Sequence, residues 1–387
     1  METENENKNN MTKNILLGVV LILIVLTIVY INLNKNNSGR LSADTSARIE
    51  LKNTEKNRQQ IISEKSKKFS PAKEIANPSG YINTDGISIS ENIGKKVILV
   101  DFWTYSCINC QRTIPYINSW HEKYSDKGLL IIGVHTPEFD FEKKKGNVIR
   151  AVEKFRIKYP VVMDNDFGTW RAYNNQYWPR KYLIDIDGFI VYDHIGEGNY
   201  DETERKIQEL LEERNTALGM NEEINDEIIQ KDFSTDFSRI QSPEVYFGSQ
   251  RNEYLINGKS GFSGEHDFAM SEKNPILNAL YLDGKWNLSE EYAKSLSDNA
   301  RIIYKYSAKD VNFVAGSDSE IKVYITKDGK PLTKEDAGSD IFIDETGSYA
   351  KIKDETLYNL ISDADYGTHV IEIKSSSGLM AFTFTFG

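Results

Sequence analysis

The chain has 387 residues and a formal charge of −11 at pH 7. That length allows two domains and an anchor, and the acidic balance argues against a general nucleic-acid binder. Aromatic residues reach 11%, which suits packed domains and excludes a chain disordered throughout. Between Lys13 and Lys35 no charged residue occurs, and Ile15–Ile31 reads ILLGVVLILIVLTIVYI. About twenty such residues at ~1.5 Å rise span the hydrocarbon core of a bilayer. No small-x-small cleavage site follows closely, so residues 14–34 are expected to remain as a transmembrane helix behind the tail 1–13. Lys8 and Lys13 precede it, and Lys35, Arg40 and Arg48 follow it. That balance weakly favours a cytoplasmic C-terminal part, although long domains translocate despite flanking charge. The cysteine chemistry described below reverses the choice, because disulfides persist outside the cytoplasm. The expectation is a single-pass cell-membrane protein with extracytoplasmic domains.

Residues 35–68 are polar and basic, a solvated stalk that is helical in part over Ser46–Lys68. Across 69–215 strand and helix patterns alternate. Strand-like runs fall at Lys96–Phe102, Leu129–Val134, Tyr159–Met163, Tyr182–Asp185 and Phe189–His194. The last two are joined by the hairpin signal Asp187-Gly188. Helical spacing covers Ile108–Tyr124, Gly146–Lys158 and Tyr200–Arg214. The order β-α-β-α-β-β-α is that of an α/β thioredoxin-like domain. An acidic linker, 216–240, leads to 241–387, where short strands at Ala300–Ser307, Asp310–Ala315, Glu320–Lys327, Ser339–Ile343, Gly367–Lys374 and Leu379–Phe386 suggest an all-β sandwich. This half is rich in Tyr and Phe and contains Trp286. Such rings either fill a core or stack on sugars, so glycan binding is a possible role.

The two cysteines, Cys107 and Cys110, are spaced C-x-x-C between an apolar strand and a helix. A cysteine attacks as the thiolate. At a helix N-terminus, unpaired N–H groups and the helix dipole favour that anion. Cys107 is thus placed to attack a disulfide, and Cys110, one turn on, to resolve the mixed disulfide. Asp101 ends the strand six residues earlier. Buried beneath the resolving sulfur, it would have a raised pKa and serve as its proton shuttle. Trp178-Pro179 precedes another strand, and a cis bond there would offer the Trp178 backbone to a substrate strand.

Rival chemistries fit less well. Thr104-Tyr105-Ser106-Cys107 satisfies the T-x-x-C part of a peroxidase pattern, but Val100 stands where its proline belongs. A structural zinc needs four ligands and only one C-x-x-C exists. Gln111 occupies the histidine place of a haem attachment motif. No metal or bound cofactor is expected, the redox group being the Cys107–Cys110 pair itself.

Three segments resemble the DipZ-type proteins within the TlpA-like redoxins. They are VILVDFWTYSCINCQRTIPYI (Val97–Ile117), GVHTPEFDFEK (Gly133–Lys143) and YPVVMDNDFGTWRAYNNQYWPRKYLID (Tyr159–Asp185). The C-terminal stretch GTHVIEIKSSSGLMAFTFTFG is similar as well, and the likeness runs from Pro71 to Gly387. The resemblance implies a thiol–disulfide oxidoreductase domain followed by a carbohydrate-binding-module-like β-sandwich. It places the family's dithiol on Cys107 and Cys110, its proline on Pro179 and its strand aspartate on Asp101. TlpA-like relatives often serve reductive pathways such as cytochrome c maturation. DipZ proteins carry a multi-helix CcdA-like domain ahead of this module. One helix stands there in this chain, so the expectation is a separate CcdA-like membrane electron donor and protein thiol/disulfide substrates. In TlpA-like folds the loop holding His135 and Glu138 lies near the dithiol, which makes Glu138 a further candidate in its proton traffic.

Overall fold

The computed structural model describes residues 13, 16–33, 56–231, 236–270 and 274–387. Two units separate at Phe69. In the first, Leu16–Leu33 forms an exposed apolar helix of 18 residues, long enough to cross a membrane. Its Thr27 hydroxyl donates to the Leu23 carbonyl at 2.6 Å, which satisfies a polar group that lipid cannot. Residues 56–68 form a second helix. Lys8, Lys35, Arg40, Arg48 and the stalk from Ser46 to Glu55 lie outside the described residues.

The second unit begins with a seven-stranded sheet. Its strands are β1 (Ser70–Pro71), β2 (Gly80–Ile82), β3 (Val97–Trp103), β4 (Leu129–His135), β5 (Val161–Met163), β6 (Arg180–Ile184) and β7 (Phe189–Ile195). Their order is β1-β7-β6-β3-β4-β5-β2, with β3, β4 and β5 parallel and β6 and β7 antiparallel to their neighbours. Helices α1 (Ile108–Tyr124), α2 (Lys145–Lys154), α3 (Gly168–Ala172) and α4 (Tyr200–Leu218) complete the domain. Central β3 is buried along its whole length. This explains why VILVDFW lacks a polar alternation: both faces of the strand are covered. Ile98, Val100 and Phe102 face one core cluster; Val97, Leu99 and Trp103 face the other, with Ile117 and Trp120 of α1 and Ile207 and Leu211 of α4. Side chains alternate along a strand, so Asp101 belongs to the α1 side.

The segment expected to be a linker starts as the last turn of α4 and returns across the redox domain. Glu204, buried on α4, accepts from Trp120 Nε1 at 3.2 Å, Tyr124 OH at 2.7 Å and the Ile229 amide at 2.9 Å. It also pairs with Lys123 at 3.0 Å. Tyr116 OH donates to the Lys231 carbonyl at 3.1 Å. The acidic composition disguised a docked strap as a free spacer.

The C-terminal domain is one eleven-stranded sheet folded on itself. Strands Ala300–Gly316 and Thr356–Ser375 pair along nearly their full length, from Ala300↔Ser375 to Ala315↔Thr356, across irregularities at Ala308/Asp310 and Val311/Asn312. The sequence divided the first of these strands in two and saw only the end of the second. A bulge bends a strand without ending it. The first half of Ala300–Gly316 also pairs with Leu280–Leu288, and the second half with Met380–Phe386, so the sheet wraps one core. Leu280–Leu288 escaped notice because Asp283-Gly284 reads as a turn, yet Gly284 sits mid-strand at φ +85°. A Cβ there would lie 2.9 Å from Ser297 Oγ. Trp286 is fully buried in this core, its Nε1 donating to the Asp283 carbonyl at 3.0 Å, so it is no platform for a sugar ring.

The two domains meet at an aromatic seam. Phe382 contacts Phe141 and Phe139 with ring centroids 4.7 and 5.3 Å apart, and Tyr292 closes over it at 5.2 Å. Polar links flank the rings: Lys144–Glu355 at 2.8 Å, Arg251–Glu138 at 2.7 Å and the Asp140 amide on Glu291 at 2.9 Å. Phe382→Ala should empty this seam and lower stability by about 3 kcal/mol. Urea unfolding of the detergent-solubilised protein checks it, and an unchanged midpoint would show that the seam contributes nothing.

Candidate active site

Cys107 is the N-cap of α1, extended at φ −79° and ψ 119°, and its Sγ accepts the Cys110 amide at 3.4 Å. The sulfur therefore occupies the place of a capping oxygen, where the first-turn N–H groups favour negative charge. Both cysteines are free thiols; Cys107 is half-buried and Cys110 fully buried. Burial pushes the Cys110 thiol well above its usual range, reinforced by its hydrogen bond to Cys107 and the charges of Cys107 and Asp101. One sulfur is thus accessible, and the other is held protonated until a base assists.

A titratable carboxyl lies in the core beside Cys110. Asp101 is 1% exposed, and burial pushes its carboxyl up to about 7 against the pull of Lys181. Lys181 is its cross-strand partner from β6, is fully buried, and donates from Nζ to the Gly196 carbonyl at 3.0 Å. Burial lowers the Lys181 ammonium, while Asp101, Cys110 and Glu197 hold it up. Tyr159, also fully buried, feels both Asp101 and Cys110. Among the described residues, Asp101 Oδ1 and Tyr159 OH are buried without hydrogen-bond partners. A carboxylate with an uncommitted oxygen at this place can take or return a proton.

The Trp178-Pro179 bond is cis. Since Arg180 pairs with Phe102, Pro179 stands at the same end of the sheet as the turn that follows β3. The indole of Trp178 donates to the Thr136 carbonyl at 3.0 Å and lies 4.2 Å from the ring of Trp170. Trp178 and Cys107 border the same apolar cluster.

Glu138 is placed differently from the expectation. Its Oε1 accepts from Tyr246 OH at 2.8 Å and Arg251 at 2.7 Å, so its carboxylate is committed to the domain seam. The carboxylate at the reactive turn is Glu142, fully buried and pushed by burial to about 7. Its Oε1 accepts Ser106 Oγ at 2.6 Å and the Ser106 amide at 3.3 Å. His135 is buried beside Thr104 at 3.4 Å; burial pushes it down to about 3, so it is neutral.

Comparison with known proteins agrees with this geometry. Residues 71–211 match the Redoxin family and 242–387 the family described as a thioredoxin like C-terminal domain. Protein DipZ of Mycobacterium bovis is 34% identical over 321 residues, 82% of this chain and 43% of that protein. Thiol-disulfide oxidoreductase ResA of Bacillus cereus is 31% identical over 32% of this chain and 68% of its own. The chain belongs to the thioredoxin-like thiol–disulfide oxidoreductases, and its likeness to DipZ extends through both of its matched domains. It spans 43% of the length of the DipZ relatives it matches. Thiol-disulfide oxidoreductase YkuV of Bacillus subtilis, 26% identical, aligns over 37% of this chain and 95% of its own length.

For an oxidoreductase of this group, the residues that the sequence did not single out are Lys181, Tyr159 and Glu142. Lys181 had a signal: in Arg180–Ile184 it alternates with buried Leu183, which puts it on the α1 side with Asp101. Glu142 had none, since FDFEKKK reads as a solvated charged run.

The Asp101 carboxyl binds its proton more tightly folded than unfolded, about 7 against 3.8. Its contribution to stability is full below the lower value and is lost as pH rises through the higher. Asp101→Asn should therefore gain on the wild type between about pH 5 and 8, by on the order of 1–3 kcal/mol. Urea midpoints of the reduced proteins across that range measure the difference. Parallel curves would show that Asp101 ionises as freely as in water.

Proposed function

We propose that this protein reduces disulfides of extracytoplasmic proteins while tethered to the membrane by its N-terminal helix. The observation that carries the reading is the accessible, N-capping Cys107 set over fully buried Cys110, with buried Asp101 on the strand beneath. The Cys107 thiolate attacks one sulfur of a substrate disulfide, forming a mixed disulfide and releasing the first substrate thiolate. Asp101 takes the proton of Cys110. The Cys110 thiolate then attacks Cys107 Sγ, closing the Cys107–Cys110 disulfide and releasing the second substrate thiolate. Two electrons pass from the dithiol to the substrate. We assign their replacement to a CcdA-like membrane dithiol protein. Pro179 and the Trp178 backbone, at the dithiol end of the sheet, are the surface against which a substrate strand would pair.

Cys110→Ser should accumulate mixed disulfides through Cys107, which a reductant releases; Cys107→Ser should accumulate none. Non-reducing gels of membranes from cells making each variant read this directly. Equal trapping by both variants would remove the attacking role from Cys107. A dithiol potential in the range of strong disulfide oxidants would reverse the direction of transfer.

Glycan binding by the C-terminal domain is a second reading, supported by a groove of about 560 Å³. Tyr324, Lys322, Lys374 and Asn299 line it, an aromatic ring among polar groups. A glycan array with wild type and Tyr324→Ala tests it, and no sugar retained by the wild type would end it.

A further inference from the structure

The loop from Glu138 to Lys144 is held from two directions. The C-terminal domain holds its outer side: Arg251 and Tyr246 on Glu138, Glu291 on the Asp140 amide, Phe382 on Phe139 and Phe141, and Glu355 on Lys144. Its inner side carries Glu142, which is 0% exposed. One oxygen of that carboxylate, Oε2, accepts the amides of Glu138 at 2.6 Å and Phe139 at 3.1 Å, within the loop itself. The other, Oε1, accepts the amide and hydroxyl of Ser106, the residue before Cys107. Thr104 Oγ1 lies 3.4 Å from His135 Nε2, whose ring stacks on Tyr105. Tyr105, between Thr104 and Ser106, is 3% exposed and donates to the Glu355 carbonyl of the C-terminal domain at 3.0 Å. The two residues leading into the nucleophile, Tyr105 and Ser106, are thus fixed by one contact from the other domain and one buried carboxylate.

We propose that Glu142 is a positioning residue of the dithiol site, and that through it the docking of the C-terminal domain sets the reactivity of Cys107. The geometry gives the carboxylate two jobs. It satisfies Ser106 N–H and O–H in a place without water, where each lost bond to a charged group costs severalfold in an equilibrium. It also holds a buried carboxylate on Ser106, the residue before Cys107, where negative charge opposes a second negative charge on the sulfur. Burial pushes its carboxyl up to about 7 even against the four donors on its two oxygens, so it carries its charge in the upper part of the pH range where a thiol ionises. Glu138, Glu355, Lys144 and Arg150 also carry charge around this side of the turn, and Asp140, Lys143, Arg251 and Glu291 carry it on the outer side of the loop. Glu138, Glu355 and Lys144 belong to ion pairs that cross the seam: Lys144 with Glu355 and Glu138 with Arg251. Loosening the seam therefore loosens the loop, and with it the carboxylate that holds Ser106. The inference rests on Cys107 being the attacking thiol.

The test is the rate at which Cys107 reacts with iodoacetamide from pH 6 to 9, in a Cys110→Ser background, together with the dithiol potential in the two-cysteine protein. Glu142→Gln keeps the size and removes the charge. It should shift the Cys107 profile to lower pH, with about a tenfold rise in rate at pH 8. The potential should become more oxidising by about 30 mV, the equivalent of tenfold for two electrons. Arg251→Ala should move both readings in the same sense by a smaller factor. The double variant Glu142→Gln/Arg251→Ala should go no further than Glu142→Gln alone. A folded Glu142→Gln protein with an unmoved profile and potential would overturn the proposal, as would fully additive effects of the two substitutions. If Glu142→Gln does not fold, Ser106→Ala removes the 2.6 Å contact alone; it should change the rate by threefold or more, and no change overturns the proposal. These failures differ from failure of the functional reading, which would appear as loss of mixed-disulfide trapping.

Discussion

The structure depends on a strand that water cannot reach. Every residue of β3 is buried, and Asp101 is among them. Ionising a carboxyl in that position is costly unless a cation accompanies it. Lys181 is that cation, yet it is buried too and spends one donor on the Gly196 carbonyl. The pair is therefore poised between charged and neutral forms, within electrostatic reach of the buried Cys110 thiol. The apolar run that builds the sheet and the proton chemistry that serves the dithiol are consequences of the same burial.

Much of this was legible in the sequence, for definite reasons. α1 begins and ends where the spacing of Ile114, Ile117 and Trp120 placed it, and the Cys107 cap marks its start. β3 was visible as an unbroken apolar run. The strap after α4 was not legible, because its contacts are backbone groups meeting Glu204, Tyr116 and Gln208, and backbone partners leave no mark on composition. The C-terminal strands were only partly legible. A sheet that bends by bulges interrupts the alternation on which sequence reading relies, and an in-strand glycine looks like a turn. At the site, two acids four residues apart, Glu138 and Glu142, differ only in which way the loop turns them. Sequence patterning has no access to that choice.

The C-terminal domain is more than an appendage in this arrangement. Its Phe382, Leu357 and Met380 belong to the same apolar cluster as Cys110 and Trp120. Residues some 250 positions after Tyr105 hold its hydroxyl. The redox fold supplies the dithiol and the buried Asp101, while the all-β domain supplies one wall of the turn that carries Cys107.

The strap after α4 sets how tightly the two domains are leashed. Tyr116 of the redox domain holds the carbonyl of Lys231, and Tyr366 of the C-terminal domain holds the amide of Asp236 at 2.8 Å. Between those anchor points the chain has about five residue steps, at most ~18 Å when fully extended. A partner on so short a leash is present at an effective concentration of millimolar or more. The seam therefore needs little intrinsic affinity to stay closed, and a domain that momentarily lifts away re-docks before diffusion can carry it off.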